Sequence, residues 1–169
     1  MQSGVRTSVV VVSAPDHPVD FHQLVDSSIN KPARYMGHEL GVEPRDWQAA
    51  QVRWALTYPE IYEVGSSNLG HIILYSILNA VPGQLCDRAY LPAADLAARL
   101  REQEQPLFGV ESRRPLPAFD ILGFSLSYEL GATNILEMLD LCRVPLRASD
   151  RGDRPLNDPA APPLIFAGG

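Results

Sequence analysis

Two carboxylates and a phenol stand close together in the stretch Glu60 to Gly65. Glu60 and Glu63 are three positions apart, a spacing that suits proton transfer or contact with a ligand amide and that is more often a solvated pair of loop charges. Tyr62 lies between them, and a phenol with an ordinary pKa of about 10 stays protonated at neutral pH. The stretch therefore predicts either a ligand-contacting loop or an exposed acidic loop.

Small and hydroxylated residues recur beyond this stretch, and glycine allows a backbone to approach a ligand closely. Asn68 is at the same time the simplest N-cap for a following helix. The candidate cofactor-binding residues are Glu60, Tyr62, Gly65, Ser67, Asn68, Gly70, Ser125, Ser127, Gly168 and Gly169.

Metal ligation by this chain is not expected. The cysteines Cys86 and Cys142 are far apart and form no Cys-x-x-Cys pair, so they predict reduced, partly buried thiols. Three histidines, at positions 17, 22 and 38, show no spacing typical of zinc ligands. His71 follows Gly70 at a predicted helix start and is expected on the helix surface or half-buried.

The composition is that of an ordinary soluble globular domain. The formal net charge of −6 gives no general attraction to nucleic acid or to anionic lipid. No apolar run reaches the roughly 18 residues that cross a bilayer, and none near the N-terminus resembles a signal-peptide core. Cytoplasmic localisation without nucleic acid or membrane partners is expected.

Strands and helices alternate from residue 52 onward. Short apolar runs predict strands at 52–58, 85–91, 120–126 and 163–167, with a short edge strand at 108–110. Helical periodicity follows at Leu69 to Leu78, at 93–103 and at 130–142, where Leu130, Ile135, Met138, Leu139 and Cys142 form a predicted buried stripe.

This alternation predicts an α/β fold with a flavodoxin-like (Rossmann-type) parallel sheet and flanking helices. Ligands of such sheets bind outside the carboxyl ends of the strands, where the strand order reverses. The loops at 59–68, 125–129 and 168–169 are all expected at that edge, which makes it the predicted binding site.

The predicted domain organisation has two parts. Residues 1–50 form an N-terminal extension, with a short strand at 9–12, two helical turns at 21–28 and an ordered loop around Lys31-Pro32-Ala33-Arg34-Tyr35. Arg34 is expected to contact another domain, and an anion site or a structural salt bridge within this chain are the alternatives. Residues 51–169 form the α/β domain, which we expect to be truncated because a fifth strand and closing helices usually complete such a sheet.

Several motifs in this order resemble one protein family. They are Lys31-Pro32-Ala33-Arg34-Tyr35-x-Gly37-x-Glu39, Tyr58-Pro59-Glu60-x-Tyr62-Glu63-x-Gly65-x-Ser67-Asn68-Leu69-Gly70, Asp120-Ile121-x-Gly123-Phe124-Ser125-Leu126-x-Tyr128-Glu129-Leu130, Thr133-Asn134-x-Leu136 and Ala167-Gly168-Gly169. Together they resemble the N-terminal region of radical S-adenosylmethionine (SAM) proteins that carry a cobalamin-binding-like (B12) domain before the radical domain.

The resemblance implies a division of labour in the intact protein. A following domain would hold a [4Fe-4S] cluster through Cys-x-x-x-Cys-x-x-Cys and would bind SAM, whereas the two cysteines here cannot supply three thiolates. This chain alone is then not an enzyme, and the intact protein is expected to be one. The radical SAM domain of the same polypeptide is the implied partner.

The resemblance also implies a cobalamin site at the strand ends. Glu60-x-Tyr62-x-x-Gly65 has the spacing of Asp-x-His-x-x-Gly, in which His binds cobalt and Asp orients it. A neutral phenol is a poor cobalt ligand, but corrinoids are also bound without a protein ligand. The alternative is a degenerate, cofactor-free docking domain. A receiver domain is disfavoured because Asp120 begins its strand instead of ending it. A flavin-binding flavodoxin domain is disfavoured because Pro59-Glu60 stands where its phosphate-binding loop would follow the first strand.

Overall fold

A computed structural model describes residues 17–37, 39, 42, 45–151 and 161–169. The strand predicted at 9–12 and the histidine at position 38 lie outside the described residues.

The centre of the molecule is a parallel four-stranded sheet. Its strands are β1 (Val52–Tyr58), β2 (Gln84–Tyr90), β3 (Ile121–Ser125) and β4 (Leu164–Gly168), in the order β2-β1-β3-β4. The predicted flavodoxin-like α/β fold is thus confirmed. The bounds of β1 agree with the prediction, because Pro59 cannot continue the ladder and ends the strand.

The described residues form six α-helices that connect or flank the strands. They are α1 (Phe21–Leu24), α2 (Tyr62–Gly65), α3 (Leu69–Ala80), α4 (Ala94–Glu102), α5 (Gly131–Leu141) and α6 (Ala148–Arg151), with 3-10 turns at Pro32–Tyr35 and Leu116–Ala118. The helices predicted at 93–103 and 130–142 form within those limits. The α2 turn forms inside a segment that was predicted to be an irregular loop.

One face of the sheet carries the hydrophobic core. Leu122 and Phe124 of β3 point into it together with Leu96 of α4 and Met138 of α5, and the described part of the N-terminal extension contributes Trp47. The predicted stripe of α5 is buried except at Leu130, which is 78% exposed. That part of the prediction is wrong, because Leu130 precedes the first helical residue and lies outside the buried face.

The other face of the sheet is covered by α3 over β2 and β1. The buried side chains of α3 are polar: His71, and Asn79, whose amide bonds the backbone N–H and C=O of Cys86. The aliphatic side chains that predicted this helix lie on its exposed side, with Ile73 and Ile77 half exposed at 50% and 55%.

The outer edge of β2 is covered by the segment that follows α4. The Val110 N–H donates to the carbonyl of Arg88, and the fully buried carboxylate of Asp87 accepts from the N–H and hydroxyl of Ser112. The edge strand predicted at 108–110 is instead an isolated antiparallel bridge between Phe108 and Pro115. The Asp87 side chain thus adds hydrogen bonds that hold this short segment against the edge of β2.

Candidate functional site

The loops that follow β1, β3 and β4 meet at the carboxyl edge of the sheet, where the strand order reverses. The Leu126 N–H donates to the Gly168 carbonyl over 2.8 Å, joining the ends of β3 and β4. The Asn134 amide donates to the Pro59 carbonyl over 2.8 Å, joining α5 to the end of β1. The predicted convergence of these loops at one edge is confirmed.

A hydrogen bond spans the mouth of this edge. The Tyr128 hydroxyl donates to Glu60 Oε1, and the Asn134 amide approaches the same oxygen at 3.5 Å. The bond to Glu60 raises the pKa of the exposed Tyr128 phenol. Glu60 therefore links the β1 and β3 loops in this structure.

Tyr62 begins the α2 turn and points away from the β3 loop. Its hydroxyl donates to Glu39 Oε1 over 2.6 Å, and its ring packs edge-on against Tyr90 at 5.2 Å. Burial, with the hydrogen bond to Glu39, raises the pKa of Tyr62 to about 12. The phenol is therefore neutral at physiological pH and already bonded within the chain.

The loop around Lys31 and Arg34 holds the α2 turn from the other side. Arg34 Nη2 lies 2.8 Å from Glu63 Oε1, and Lys31 Nζ lies 3.4 Å from the same oxygen. The hydrogen bond to Arg34 lowers the pKa of the Glu63 carboxyl. Arg34 thus forms an ion pair within the described chain, where sequence reasoning favoured a contact with another domain.

The candidate glycines differ in whether the surrounding structure leaves room for a side chain. A Cβ at Gly65 would lie 2.5 Å from Tyr90 Cδ1, and one at Gly169 would lie 2.6 Å from the Leu126 carbonyl oxygen. A Cβ at Gly168 would meet nothing within 4 Å. Internal packing explains the glycines at 65 and 169, whereas the backbone at Gly168 is open to an approaching group.

Asn68 is the N-cap of α3. Its side-chain oxygen accepts from the His71 N–H over 3.0 Å, and its amide donates to the Tyr58 hydroxyl over 3.2 Å. The neighbouring Ser67 hydroxyl donates to backbone carbonyls at the end of α2. Gly70 and Ser127, the remaining candidates near this edge, are exposed.

His71 is buried between the ends of three strands. It is 1% exposed, its ring lies edge-on to Tyr58 at 5.5 Å, and its Nδ1 lies 3.4 Å from Ser125 Oγ at the end of β3. Burial, with the charge of Arg88 nearby, lowers its pKa to about 4. His71 is therefore neutral at pH 7 and more deeply buried than the sequence predicted.

Arg88 organises a buried polar cluster under α3. Its guanidinium donates to Glu39 over 2.7 Å and to Glu111 over 2.9 Å, and it stacks over the Tyr75 ring at 4.6 Å. The Tyr75 hydroxyl donates to Glu111 over 2.8 Å. Burial, with the charge of Asp87, raises the pKa of Glu111 to about 7.

The charge of Arg88 is maintained by its neighbours. Burial disfavours the guanidinium cation, but the nearby Tyr90, Glu39 and Glu111 outweigh that effect and leave its pKa above the ordinary value. No motif spacing points to this cluster, because its members are distant in sequence. The sequence signal that could have found it is the adjacent charged pair Asp87 and Arg88 inside the predicted strand at 85–91.

Three atoms of this region have no hydrogen-bond partner among the described residues: Arg88 Nη2, the Tyr90 hydroxyl and His71 Nε2. All three side chains are at least nine-tenths buried. An unsatisfied buried polar group costs about 1–3 kcal/mol, so three of them would consume much of a domain's folding free energy.

A cavity of about 400 Å³ lies beside β2, away from the predicted edge. Its polar lining includes Glu39, Asp87 and Glu111, whose carboxylates already bond groups of the chain. Among the described residues no group of histidine, cysteine or carboxylate side chains is arranged to hold a metal ion, and no helix is long and apolar enough to cross a bilayer.

Comparison with known proteins adds one finding. A family model described as radical SAM proteins, N-terminal, matches residues 70–169, which include β2, β3 and β4. The chain belongs to this family. Searches of curated proteins and of solved structures gave no match.

Membership of the radical SAM family implies SAM and a [4Fe-4S] cluster in the intact protein. The sequence has two cysteines, Cys86 and Cys142, and both are buried, unpaired thiols. Burial raises the pKa of each thiol, which disfavours the thiolate that iron requires. These residues are therefore not ligands of such a cluster.

Proposed function

We propose that this chain is the cobalamin-binding-like module of a radical SAM iron–sulfur enzyme. It would hold a corrinoid at the carboxyl edge of its sheet, beside the radical SAM domain of the same polypeptide in the cytoplasm. The convergence of the β1, β3 and β4 loops where the strand order reverses carries this proposal, because that edge is the usual ligand site of such sheets.

The residues at this edge would hold a corrinoid by its periphery and would not ligate its cobalt. Tyr62 stands where Asp-x-His-x-x-Gly has its histidine, but its phenol is neutral and bonds Glu39. The exposed Ser127 hydroxyl and the open backbone at Gly168 would instead hold the periphery of the cofactor. The bound corrinoid supplies the cobalt chemistry, and the protein supplies binding and orientation.

Entry of a large ligand requires a local rearrangement at the mouth of the edge. The Tyr128–Glu60 hydrogen bond joins the two loops between which the ligand would sit. Both side chains belong to loops on the surface, so this bond exchanges for bonds with water at little cost. Opening is compatible with the rest of the fold because Pro59 and Asn134 anchor the loop bases.

A cofactor-free docking domain is the second candidate function. The observation that favours it is the internal pairing of the candidate polar groups: Glu60 with Tyr128, Tyr62 with Glu39 and Asn68 with Tyr58. In that case the strand-end loops and the exposed aliphatic side of α3 would contact the radical SAM domain without a cofactor.

Titration with hydroxocobalamin separates the two functions. The titration is carried out on the parent chain, alone and within the intact protein, and on the variants Tyr62→His and Tyr62→Phe, of which the second is the matched control. Binding is followed by ultraviolet–visible spectroscopy and calorimetry. We expect saturable binding by the parent and by Tyr62→Phe, since neither residue ligates cobalt. If the folded parent binds no corrinoid, the proposed cofactor-binding function is wrong and the docking function takes its place.

The spectrum of the histidine variant gives the position of residue 62. If this residue lies below the metal, Tyr62→His changes the cobalt absorption bands while Tyr62→Phe does not. Unchanged bands with retained binding would place the corrinoid elsewhere on the edge. Either result is independent of the radical chemistry of the following domain.

A further inference from the structure

The three unpartnered polar atoms belong to one region between α3 and β2. His71 lies in the first turn of α3, and the guanidinium of Arg88, a residue of β2, stacks over the ring of Tyr75 in the same helix. The His71 and Tyr90 rings are 5.7 Å apart, and the charge of Arg88 affects the pKa of both. The three side chains are therefore neighbours in one buried cluster.

The cluster is closed to bulk solvent. His71, Arg88 and Tyr90 are 1%, 3% and 4% exposed, and their unpartnered atoms have almost no contact with solvent. Buried polar groups in folded proteins are nearly always hydrogen-bonded, to protein or to internal water. Because the described residues supply no partner, another hydrogen-bonding group must be present.

The chemistry of the cluster restricts that group. Arg88 only donates, so the group must accept a hydrogen bond. The neutral His71 ring accepts at Nε2 in one tautomer and donates there in the other, so a group that both donates and accepts satisfies it in either case. Glu39 and Glu111 already balance the charge of Arg88, which disfavours an anion.

We propose that ordered internal water binds between α3 and β2 and bridges Arg88, Tyr90 and His71. Water is small, neutral, and both donates and accepts, as this closed site requires. This water would link the first turn of α3 to the C-terminal end of β2, next to the carboxyl edge of the sheet. The proposal does not depend on binding of a corrinoid.

The sign of a stability change tests this proposal. Tyr90→Phe removes one hydroxyl from the site, and Tyr75→Phe is the matched control because the Tyr75 hydroxyl has a protein partner, Glu111. If water bridges the site, both variants lose a hydrogen bond and both melt about 2–4 °C lower. If the Tyr90 hydroxyl is truly unpartnered, removing it leaves the melting temperature unchanged or raises it, which overturns the proposal.

A crystal structure at high resolution supplies an independent readout. Electron density for water within about 3.2 Å of the Arg88, Tyr90 and His71 atoms is expected. In the Tyr90→Phe crystal the same water should remain on Arg88 and His71. Direct bonds among the three side chains, with no water between them, would contradict the proposal even if Tyr90→Phe were destabilising.

Discussion

The hydroxyl of Tyr62 donates a 2.6 Å hydrogen bond to Glu39, whose other carboxylate oxygen accepts from Arg88 over 2.7 Å. Glu39 thus connects the α2 turn after β1 to the interior of β2. The Tyr62 phenol therefore has a structural role in this loop, because it also packs against Tyr90.

Tyr62→Phe should destabilise the chain modestly. The variant keeps the ring packed on Tyr90 but removes a hydrogen bond to a carboxylate, which is worth about 1.5–3 kcal/mol. Urea denaturation gives the free energy of unfolding, and Tyr128→Phe serves as a control because that hydroxyl is exposed. Equal stability of Tyr62→Phe and the parent would show that the Glu39 contact contributes nothing.

Gly65→Ala should be destabilising by about 1–3 kcal/mol, because the added methyl overpacks against the Tyr90 ring. The Cβ would lie 2.5 Å from Tyr90 Cδ1, and Tyr58 Cβ lies 3.0 Å away on another side. Gly168→Ala is the matched control, since its Cβ meets nothing within 4 Å. Thermal unfolding of both variants checks this, and similar melting temperatures would contradict the packing role of Gly65.

Arg34→Gln should slightly destabilise the α2 turn, because it removes the ion pair with Glu63. This ion pair is partly exposed, so only a small loss of stability is expected, and a smaller one at high salt. Lys31→Gln is the control, because Lys31 is more exposed and lies 3.4 Å from Glu63. A double-mutant cycle with Glu63→Gln measures the coupling. If the intact protein loses stability while the chain alone does not, Arg34 also contacts another domain.

His71 should make the fold sensitive to acid. Its folded pKa of about 4 lies below the ordinary 6.5, so the unfolded chain binds the proton more tightly between these values. The contribution of the neutral His71 to the free energy of unfolding is therefore fully present above pH 6.5. It is lost as the pH falls toward 4, and the total loss is about 3 kcal/mol. Glu111 acts in the opposite direction, because its raised pKa favours the folded state at low pH and this contribution is lost as pH rises through about 7.

The His71 contribution is isolated by comparing variants across pH 4–7 with the parent. The difference in slope of the unfolding free energy between the parent and His71→Gln reports this residue, while His22→Gln controls for an exposed histidine. Parallel curves for His71→Gln and the parent would show that the ring does not titrate with a depressed pKa.

The chain alone should self-associate through the exposed side of α3. Ile73 and Ile77 are one helical turn apart and half exposed, as is the nearby Leu74 at 48%. Light scattering after size-exclusion chromatography should show species larger than the monomer. The variant Ile73→Lys should lower the amount of these species, whereas Leu136→Lys on α5 should not. A monodisperse parent that melts cooperatively would contradict this expectation.

Local sequence signals predicted the scaffold well where they were strong. β1 combines aromatic and β-branched residues with a terminal proline, and the apolar run of β3 is continuous, so both strands were placed within about a residue of each end. For α3, helical periodicity predicted the helix itself. It did not predict which side faces the sheet, because the buried side chains His71 and Asn79 are polar.

Long-range contacts limited the rest. The α2 turn has four residues, too few for periodicity, and depends on contacts with Tyr90, Glu39 and Arg34. The Arg88 cluster unites positions 39, 88 and 111, whose proximity follows only from the fold. The strand-end edge was predictable because parallel topology alone brings those loops together.

The covered edge of β2 limits how copies of this sheet can join. Val110 and Ser112 bond to the outer side of β2, whereas β4 pairs with β3 alone among the described strands. A sheet with a single available edge can pair with one other such edge and then has none left. Edge-to-edge assembly of this chain would therefore stop at a two-fold symmetric pair instead of growing into a fibre.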